Sequence, residues 1–368
     1  MGRQGREAEK IARVRDRLLE WYEQSRRDLP WRRNRNPYSI WVSEIMLQQT
    51  RVAVVVDRHQ AFMARFPTLE SLASAREDEV LALWSGLGYY RRARMLHKAA
   101  QFIVEHFEGN MPQTAEELRL LPGIGSYTAA AIASIAHNEQ VAVVDGNVER
   151  VLCRMEGWDA SSRVASGALL RRKIEELANK LVCPLRPGDS NQALMELGAT
   201  LCLPRNPQCL VCPVAGDCKT QGEHRTAARK PMQSREVAYA LSVRTGRQTN
   251  QSGRQVLLEQ RPPSLTVMPG LWELPTLKEA AVPDDHLRLT LRHAIMQVNY
   301  YVRIRAVLED DIDAIAVAGG ERRWVPLDEV AGMALTGLTR KVLTRLRLLP
   351  DVPLNAATAE DSLLCTVD

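Results

Sequence analysis

Leu121-Pro122-Gly123-Ile124-Gly125-Ser126-Tyr127-Thr128-Ala129-Ala130 decides how the N-terminal part of this chain folds. A helix over residues 114–120 runs into a Pro-Gly-x-Gly turn, and a second, Ala-rich helix follows. Two glycines let the backbone reverse sharply and leave no side chain above the N-terminus of the second helix. Its first N–H groups and the positive end of its dipole then face outward, a geometry that suits a phosphate oxygen. Such a site, built from Gly123, Gly125 and Ser126, would grip a nucleic-acid backbone without reading its sequence. The plainer alternative is an ordinary turn between two helices.

Two acids flank this hairpin in sequence. Downstream, Val141-Ala142-Val143-Val144-Asp145-Gly146-Asn147-Val148-Glu149-Arg150 places Asp145 between an apolar run and a new helix. A carboxylate there is favoured as the anion by the helix dipole and could face a developing cation; it could equally be a plain N-cap. Upstream, Trp41-Val42-Ser43-Glu44-Ile45-Met46-Leu47-Gln48-Gln49-Thr50 sets Glu44 among apolar neighbours. Buried, it would have a raised pKa and could deliver a proton near neutral pH; on an amphipathic surface helix it would do neither. One acid poised to donate and another held as an anion is the division of labour that glycosidic-bond cleavage requires.

Further on, Cys202, Cys209, Cys212 and Cys218 are spaced C-x6-C-x2-C-x5-C around a Pro-rich loop, close enough in sequence to meet at one point. Thiolates suit zinc or an iron–sulfur cluster. Structural zinc sites more often pair two C-x2-C knuckles, and only one is present, so the spacing favours a cubane cluster acting as a structural staple. The other three of the seven cysteines are scattered (Cys153, Cys183, Cys365), which argues for a reducing compartment, the cytoplasm, rather than a disulfide framework. No apolar run is long enough for a membrane span. The first residues lack the apolar core of a signal peptide, and Glu7, Glu9 and Asp16 argue against a transit peptide. A net charge of +5 permits nucleic acid as a partner without requiring it.

A chain of 368 residues predicts two domains. Residues 6–218 read as an all-α domain of many short helices, with apolar spacings of three and four in Val80-Leu81-Leu83-Trp84 and Ile174-Leu177-Leu181. Residues 219–236 are polar and basic and read as a linker. Residues 237–350 change texture: Val, Leu, Tyr and Ile predict strands over 237–243, 255–259 and 298–307, with a last helix over 340–348, hence a smaller α+β domain. Residues 351–368 are expected to be disordered.

Taken together, the hairpin, Val144-Asp145 and the cysteine loop resemble the helix-hairpin-helix DNA glycosylase superfamily that carries an iron–sulfur cluster. Leu29-Pro30-Trp31-Arg32, the Trp41–Thr50 string, Gly86-Leu87-Gly88-Tyr89-Tyr90 and Asn191-Gln192-Ala193-Leu194-Met195 are similar to the adenine DNA glycosylase family. Past the linker, Pro269-Gly270-Leu271-Trp272-Glu273-Leu274-Pro275 and Trp324-Val325-Pro326-Leu327 look like that family's Nudix-related C-terminal domain.

The resemblance implies a base-excision-repair enzyme that removes adenine mispaired with 8-oxoguanine or guanine in double-stranded DNA, acting as a monomer with one 4Fe-4S cluster. Glu44 would protonate the adenine, and Asp145 would stabilise the oxocarbenium-like sugar. Tyr127 and Asn147 would orient these groups. Arg32 and Gln192 would hold the flipped base, while Gln49 and Tyr89 would fill the gap it leaves. Relatives with strand-cleaving activity carry a lysine where this chain has Tyr127, so a monofunctional glycosylase is expected. The family's lesion-reading Phe-Ser-His corresponds to Leu291-Arg292-His293, where His293 is shared and Arg292 is expected to donate to the lesion's O8 or O6. No acidic Nudix box occurs between Thr276 and Val307, so hydrolysis of nucleoside diphosphates is not expected. The competing readings are an endonuclease III-like enzyme for oxidised pyrimidines and a damage-binding protein without catalysis.

Overall fold

The computed structural model describes residues 3–158, 167–224, 231–245, 253–317 and 319–349. It separates into two compact units. One comprises residues 1–75 and 92–229, the other residues 76–91 and 230–368. The expected linker over 219–236 is shorter than its composition implied. Lys219 and Thr220 donate backbone hydrogen bonds to Met155 and Arg154, and the first strand already begins at Gln233. Residues 76–91 belong to the second unit rather than to the helical domain in which they were expected. Residues 225–230 and the tail after Leu349 lie outside the described residues.

The helices are α1 (Arg3–Ser25), α2 (Pro37–Leu47), α3 (Val52–Arg65), α4 (Leu69–Ala73), α5 (Glu77–Leu83), α6 (Arg91–His106), α7 (Ala115–Leu118), α8 (Ser126–His137), α9 (Gly146–Glu156), α10 (Gly167–Leu181) and α11 (Pro187–Thr200). α2 starts where the Asn36 side chain accepts from the Ser39 N–H and Pro37 occupies the first turn. Every residue from Tyr38 to Met46 is buried, so this helix is covered on all sides as a central element. One core lies among α1, α9, α10 and α11, built from residues such as Leu18, Leu152, Ile174 and Leu197. Two close approaches depend on glycine. A β-carbon at Gly188 would stand 2.7 Å from the Ser134 carbonyl, and one at Gly198 would stand 2.6 Å from the Asn147 β-carbon.

In the second unit, β1 (Gln233–Leu241) runs parallel to β6 (Val298–Ala306), and β5 (Leu287–Ile295) pairs antiparallel with β6. A second sheet centres on β3 (Arg254–Gln260), flanked by β2 (Val243–Thr245), β4 (Trp272–Glu273) and β7 (Arg322–Pro326). Two short helices, α12 (Ile312–Ile315) and α13 (Leu327–Val330), precede α14 (Gly337–Arg345). α14 is capped by Thr336 and buries Leu338, Val342 and Leu343 in a core shared with Val302, Ile304 and Val325. The unit is thus α+β. Strands β5 and β7 were not foreseen, although Leu287, Leu289 and Leu291 alternate with polar residues in the manner of a half-buried strand.

Candidate active site

The hairpin positions Tyr127. Thr114 opens α7 with a reciprocal capping box to Glu117, shorter than the expected helix over 114–120. Gly123 then takes φ +78°, where a β-carbon would lie 2.5 Å from that of Met95, so only glycine fits. Gly125 caps α8 without a side-chain hydrogen bond, has open space where a β-carbon would point, and is exposed together with Gly123 and Ser126. The helix N-terminus therefore remains accessible, as an anion site requires.

From the first turn of α8 the Tyr127 hydroxyl donates to Glu44 Oε2 at 2.7 Å. Glu44 is 6% exposed. Burial pushes its pKa up to about 7; the hydrogen bond from Tyr127 opposes this, the charge of Asp145 adds to it, and Arg32 opposes it. Burial, followed by the charges of Glu44 and Asp145, pushes the Tyr127 phenol well above its usual range, so it stays a donor.

Asp145 is the N-cap of α9 and at the same time a wall of the site, so its capping role does not remove it from the cavity. Its Oδ1 accepts from Val148 N at 2.7 Å and its Oδ2 from Asn147 Nδ2 at 2.9 Å. The extended run before it is pinned by the buried Asn191 amide, which accepts from Val143 N and donates to the Val141 carbonyl and Ser134 Oγ. Asn147 Oδ1 in turn accepts from Arg150, whose guanidinium also donates to the carbonyls of Gly198 and Cys202.

Glu44, Tyr127, Asp145 and Asn147 border one cavity of about 650 Å³, lined also by Arg32, Gln49, Gln192, Met195 and Glu196. Its size is that of a small-molecule site, ample for a single base. Arg32 and Gln192 are therefore both brought to the acids. Arg32 is engaged, however: its Nη2 donates to Glu196 Oε2 at 2.8 Å, while Arg27 makes a two-pronged pair with the same carboxylate. Burial acts to raise the Glu196 pKa, but the hydrogen bonds from Arg27 and Arg32 outweigh it and hold the carboxyl at about 2. Glu196 was missed in the sequence. The available signal was its i+4 spacing from Gln192 and its place in the otherwise apolar run from Ala193 to Ala199.

Arg92 was also missed. Its Nη1 donates to the carbonyls of Ile45 (2.6 Å), Met46 (3.0 Å) and Gln48 (2.6 Å), and its Nη2 to Thr50 Oγ1 (3.2 Å). One guanidinium thus satisfies the C-terminal carbonyls of the helix that carries Glu44, at the point where Gln49 adopts φ +56°. Arg92→Ala is expected to cost about 2–4 kcal/mol, because several carbonyls lose a charged donor at once. Urea unfolding of Arg92→Ala and Arg92→Lys would check it, with the lysine recovering only part of the loss.

Residues 89, 292 and 293 belong to the second unit. Tyr89 is 49% exposed and has φ +47°. Arg292 is an exposed residue of β5 whose Nε donates to Asn299 Oδ1 at 3.2 Å. Burial, then the charge of Lys341, lowers the His293 pKa, which favours the neutral ring.

Cys202, Cys209, Cys212 and Cys218 border one largely apolar hollow with Val151, Met155 and Leu197. Burial, then the neighbouring Cys218 and Cys202, pushes the Cys209 thiol up. Among the described residues no group of His, Cys, Asp or Glu is gathered tightly enough to hold a single metal ion. Four thiols bordering one apolar hollow fit an iron–sulfur cluster, which thiolates hold. The buried Arg154 lies beside them, with Nη1 at 3.4 Å from Cys202 Sγ, and provides positive charge for an anionic centre. Arg13 and Arg17 clasp Asp217 within the same loop. These four cysteines would hold the group, which would supply a cross-link for the loop.

The fold and the site define a class. Residues 42–199 match the HhH-GPD superfamily of base excision DNA repair proteins, and residues 202–218 match the iron–sulfur binding domain of endonuclease III. The helical unit thus matches that superfamily's model over most of its length and carries a 4Fe-4S-type cysteine loop. More particularly, the chain is 41% identical over 348 residues to the adenine DNA glycosylase of Homo sapiens, a match covering 79% of this chain and 61% of that protein. It is 49% identical over 230 residues to that of Rattus norvegicus, covering 59% and 44%. A solved thermostable thymine-DNA glycosylase is 29% identical with a TM-score of 0.53, covering 58% of this chain and 97% of that one. The chain spans about three fifths or less of the length of these curated relatives.

Proposed function

We propose that this protein is a monofunctional adenine DNA glycosylase that hydrolyses the N-glycosidic bond of adenine opposite 8-oxoguanine or guanine in double-stranded DNA. The observation that carries the reading is Glu44, buried, hydrogen-bonded to Tyr127 and raised to about pH 7, in one cavity with the ionisable Asp145. The target nucleotide leaves the stack and enters the cavity, at a cost of a few kcal/mol that is least at a mismatch. Glu44 then gives its proton to the adenine ring, so the base departs as a neutral group. Asp145, held by Val148 N and Asn147, faces the sugar as positive charge builds there and orients the incoming water. Tyr127 has no amine with which to form a Schiff base, so the product is an intact strand with an abasic site. The accessible α8 N-terminus supports a phosphate contact.

A single-turnover assay tests the reading, with labelled duplexes carrying adenine opposite 8-oxoguanine, guanine or thymine, and a thymine-glycol duplex beside them. Strand breaks that need alkali, at adenine opposite 8-oxoguanine or guanine and hardly opposite thymine, are expected. Breaks at thymine glycol without alkali would replace this reading with an endonuclease III-like one.

Arg292 is the group proposed to read the lesion. It lies exposed on β5, and its cross-strand neighbour is the half-exposed Tyr301. Arg292→Ala is expected to lose about tenfold of the preference for 8-oxoguanine over guanine, one charged hydrogen bond's worth. An unchanged rate ratio between the two duplexes would assign lesion reading elsewhere.

A further inference from the structure

Residues 84–90 form a loop whose backbone is held in an uncommon shape. Gly86 (φ +96°), Gly88 (φ +68°) and Tyr89 (φ +47°) all lie in the left-handed half of conformational space. Glycine adopts this readily, but a tyrosine there is strained, and strain of this kind persists only when the surroundings over-determine it. Three side-chain hydrogen bonds do so. The buried Trp84 indole N–H donates to the Gly88 carbonyl at 3.1 Å. The Tyr90 hydroxyl donates to the Leu335 carbonyl at 2.8 Å, and Arg340 Nε donates to the fully buried Ser85 Oγ at 2.7 Å.

The last two anchors come from the α14 end of the C-terminal sequence, some 250 residues away. They are themselves fixed. Leu335 is fully buried between residues whose backbone bonds to Trp272, with Trp272 N to the Ala334 carbonyl and Thr336 N to the Trp272 carbonyl, both at 2.9 Å. Arg340 makes further bonds to the carbonyls of Ala331 and Met333. Tyr90 is 3% exposed, whereas the adjoining Tyr89 is 49% exposed. A rigid frame thus presents one aromatic ring outward. Aromatic faces stack on bases without regard to sequence.

We propose that Arg340 and the Leu335 carbonyl are positioning groups for Tyr89, which the loop presents as a wedge that stacks into the duplex while the target base is out. The proposal rests on the DNA glycosylase reading above, and it gives the C-terminal sequence a part in extrusion beyond lesion reading. The variants are Arg340→Ala, Tyr90→Phe (which removes one hydroxyl and no packing), Tyr89→Ala, and each of the first two combined with Tyr89→Ala. Single-turnover rates are measured on full-length protein with adenine opposite guanine, and with adenine opposite an abasic analogue, where less stacking has to be broken.

Arg340→Ala is expected to slow the paired duplex about tenfold, Tyr90→Phe severalfold, and the abasic-partner duplex less than about twofold. In the Tyr89→Ala background either change should add almost nothing, because the group it positions is gone. Equal slowing of both duplexes, or effects that multiply with Tyr89→Ala, would reduce these residues to a structural role and overturn the proposal. A wild-type protein that excises no adenine from either duplex would remove the glycosylase reading itself, a result independent of every Arg340 and Tyr90 variant.

Discussion

Glu44→Gln is expected to lower adenine excision by about 10²–10⁴-fold, the usual range for a positioned general acid, while binding of the mismatched duplex is retained. The glutamine still fills the buried site and can accept from Tyr127, so the loss isolates the proton. The pH dependence follows from the raised pKa of about 7. The wild-type rate should be level below that value and fall about tenfold per pH unit above it, because only the protonated carboxyl donates. The residual activity of Glu44→Gln should show no such limb.

The same residue links function to stability. Its folded-state pKa lies above the ordinary 4.5, so the protonated carboxyl favours the folded state below pH 4.5. That contribution is lost as pH rises from 4.5 through about 7, and is gone above it. The difference amounts to about 3 kcal/mol, from the free energy per pKa unit. At pH 8 Glu44→Gln should therefore be more stable than wild type, and the two should converge near pH 4. Denaturant unfolding at both pH values would show it; parallel curves would mean that the carboxyl is not buried as an acid.

Asp145→Asn is expected to reduce excision by about 10³-fold, because the sugar cation loses its facing charge in a partly buried site. Stability should change little. Asparagine caps a helix about as well as aspartate, so Val148 N keeps its acceptor. The remaining cost is about 1 kcal/mol, since the new amide would point a donor at Asn147 Nδ2. Asn147 cannot simply turn over to help, because its carbonyl oxygen already accepts from Arg150. Chemical-step rates alongside thermal melts would separate the two effects; a large fall in melting temperature would make Asp145 chiefly a cap.

What was readable in the chain was local. Asp145 caps α9 because it stands directly before it, and the glycines of the hairpin declare a turn that the backbone then makes. The four cysteines needed only a short loop to meet, and Glu44 was surrounded in sequence by the apolar residues that bury it. Each of these depends on neighbours within a few residues, so composition and spacing suffice.

The rest came from groups far apart along the chain. Glu196 is held down by Arg27 and Arg32, 169 and 164 residues away, and Arg92 clamps carbonyls about 46 residues before it. No spacing rule connects such partners, because their meeting depends on how whole helices pack. The membership of residues 76–91 in the second unit is of the same kind. By itself the sequence determined which residues could do chemistry and which turns could form. Only the tertiary structure decided which of them share a cavity, which charges they meet there, and what anchors Tyr89, since burial and long-range hydrogen bonds exist only once the chain has folded.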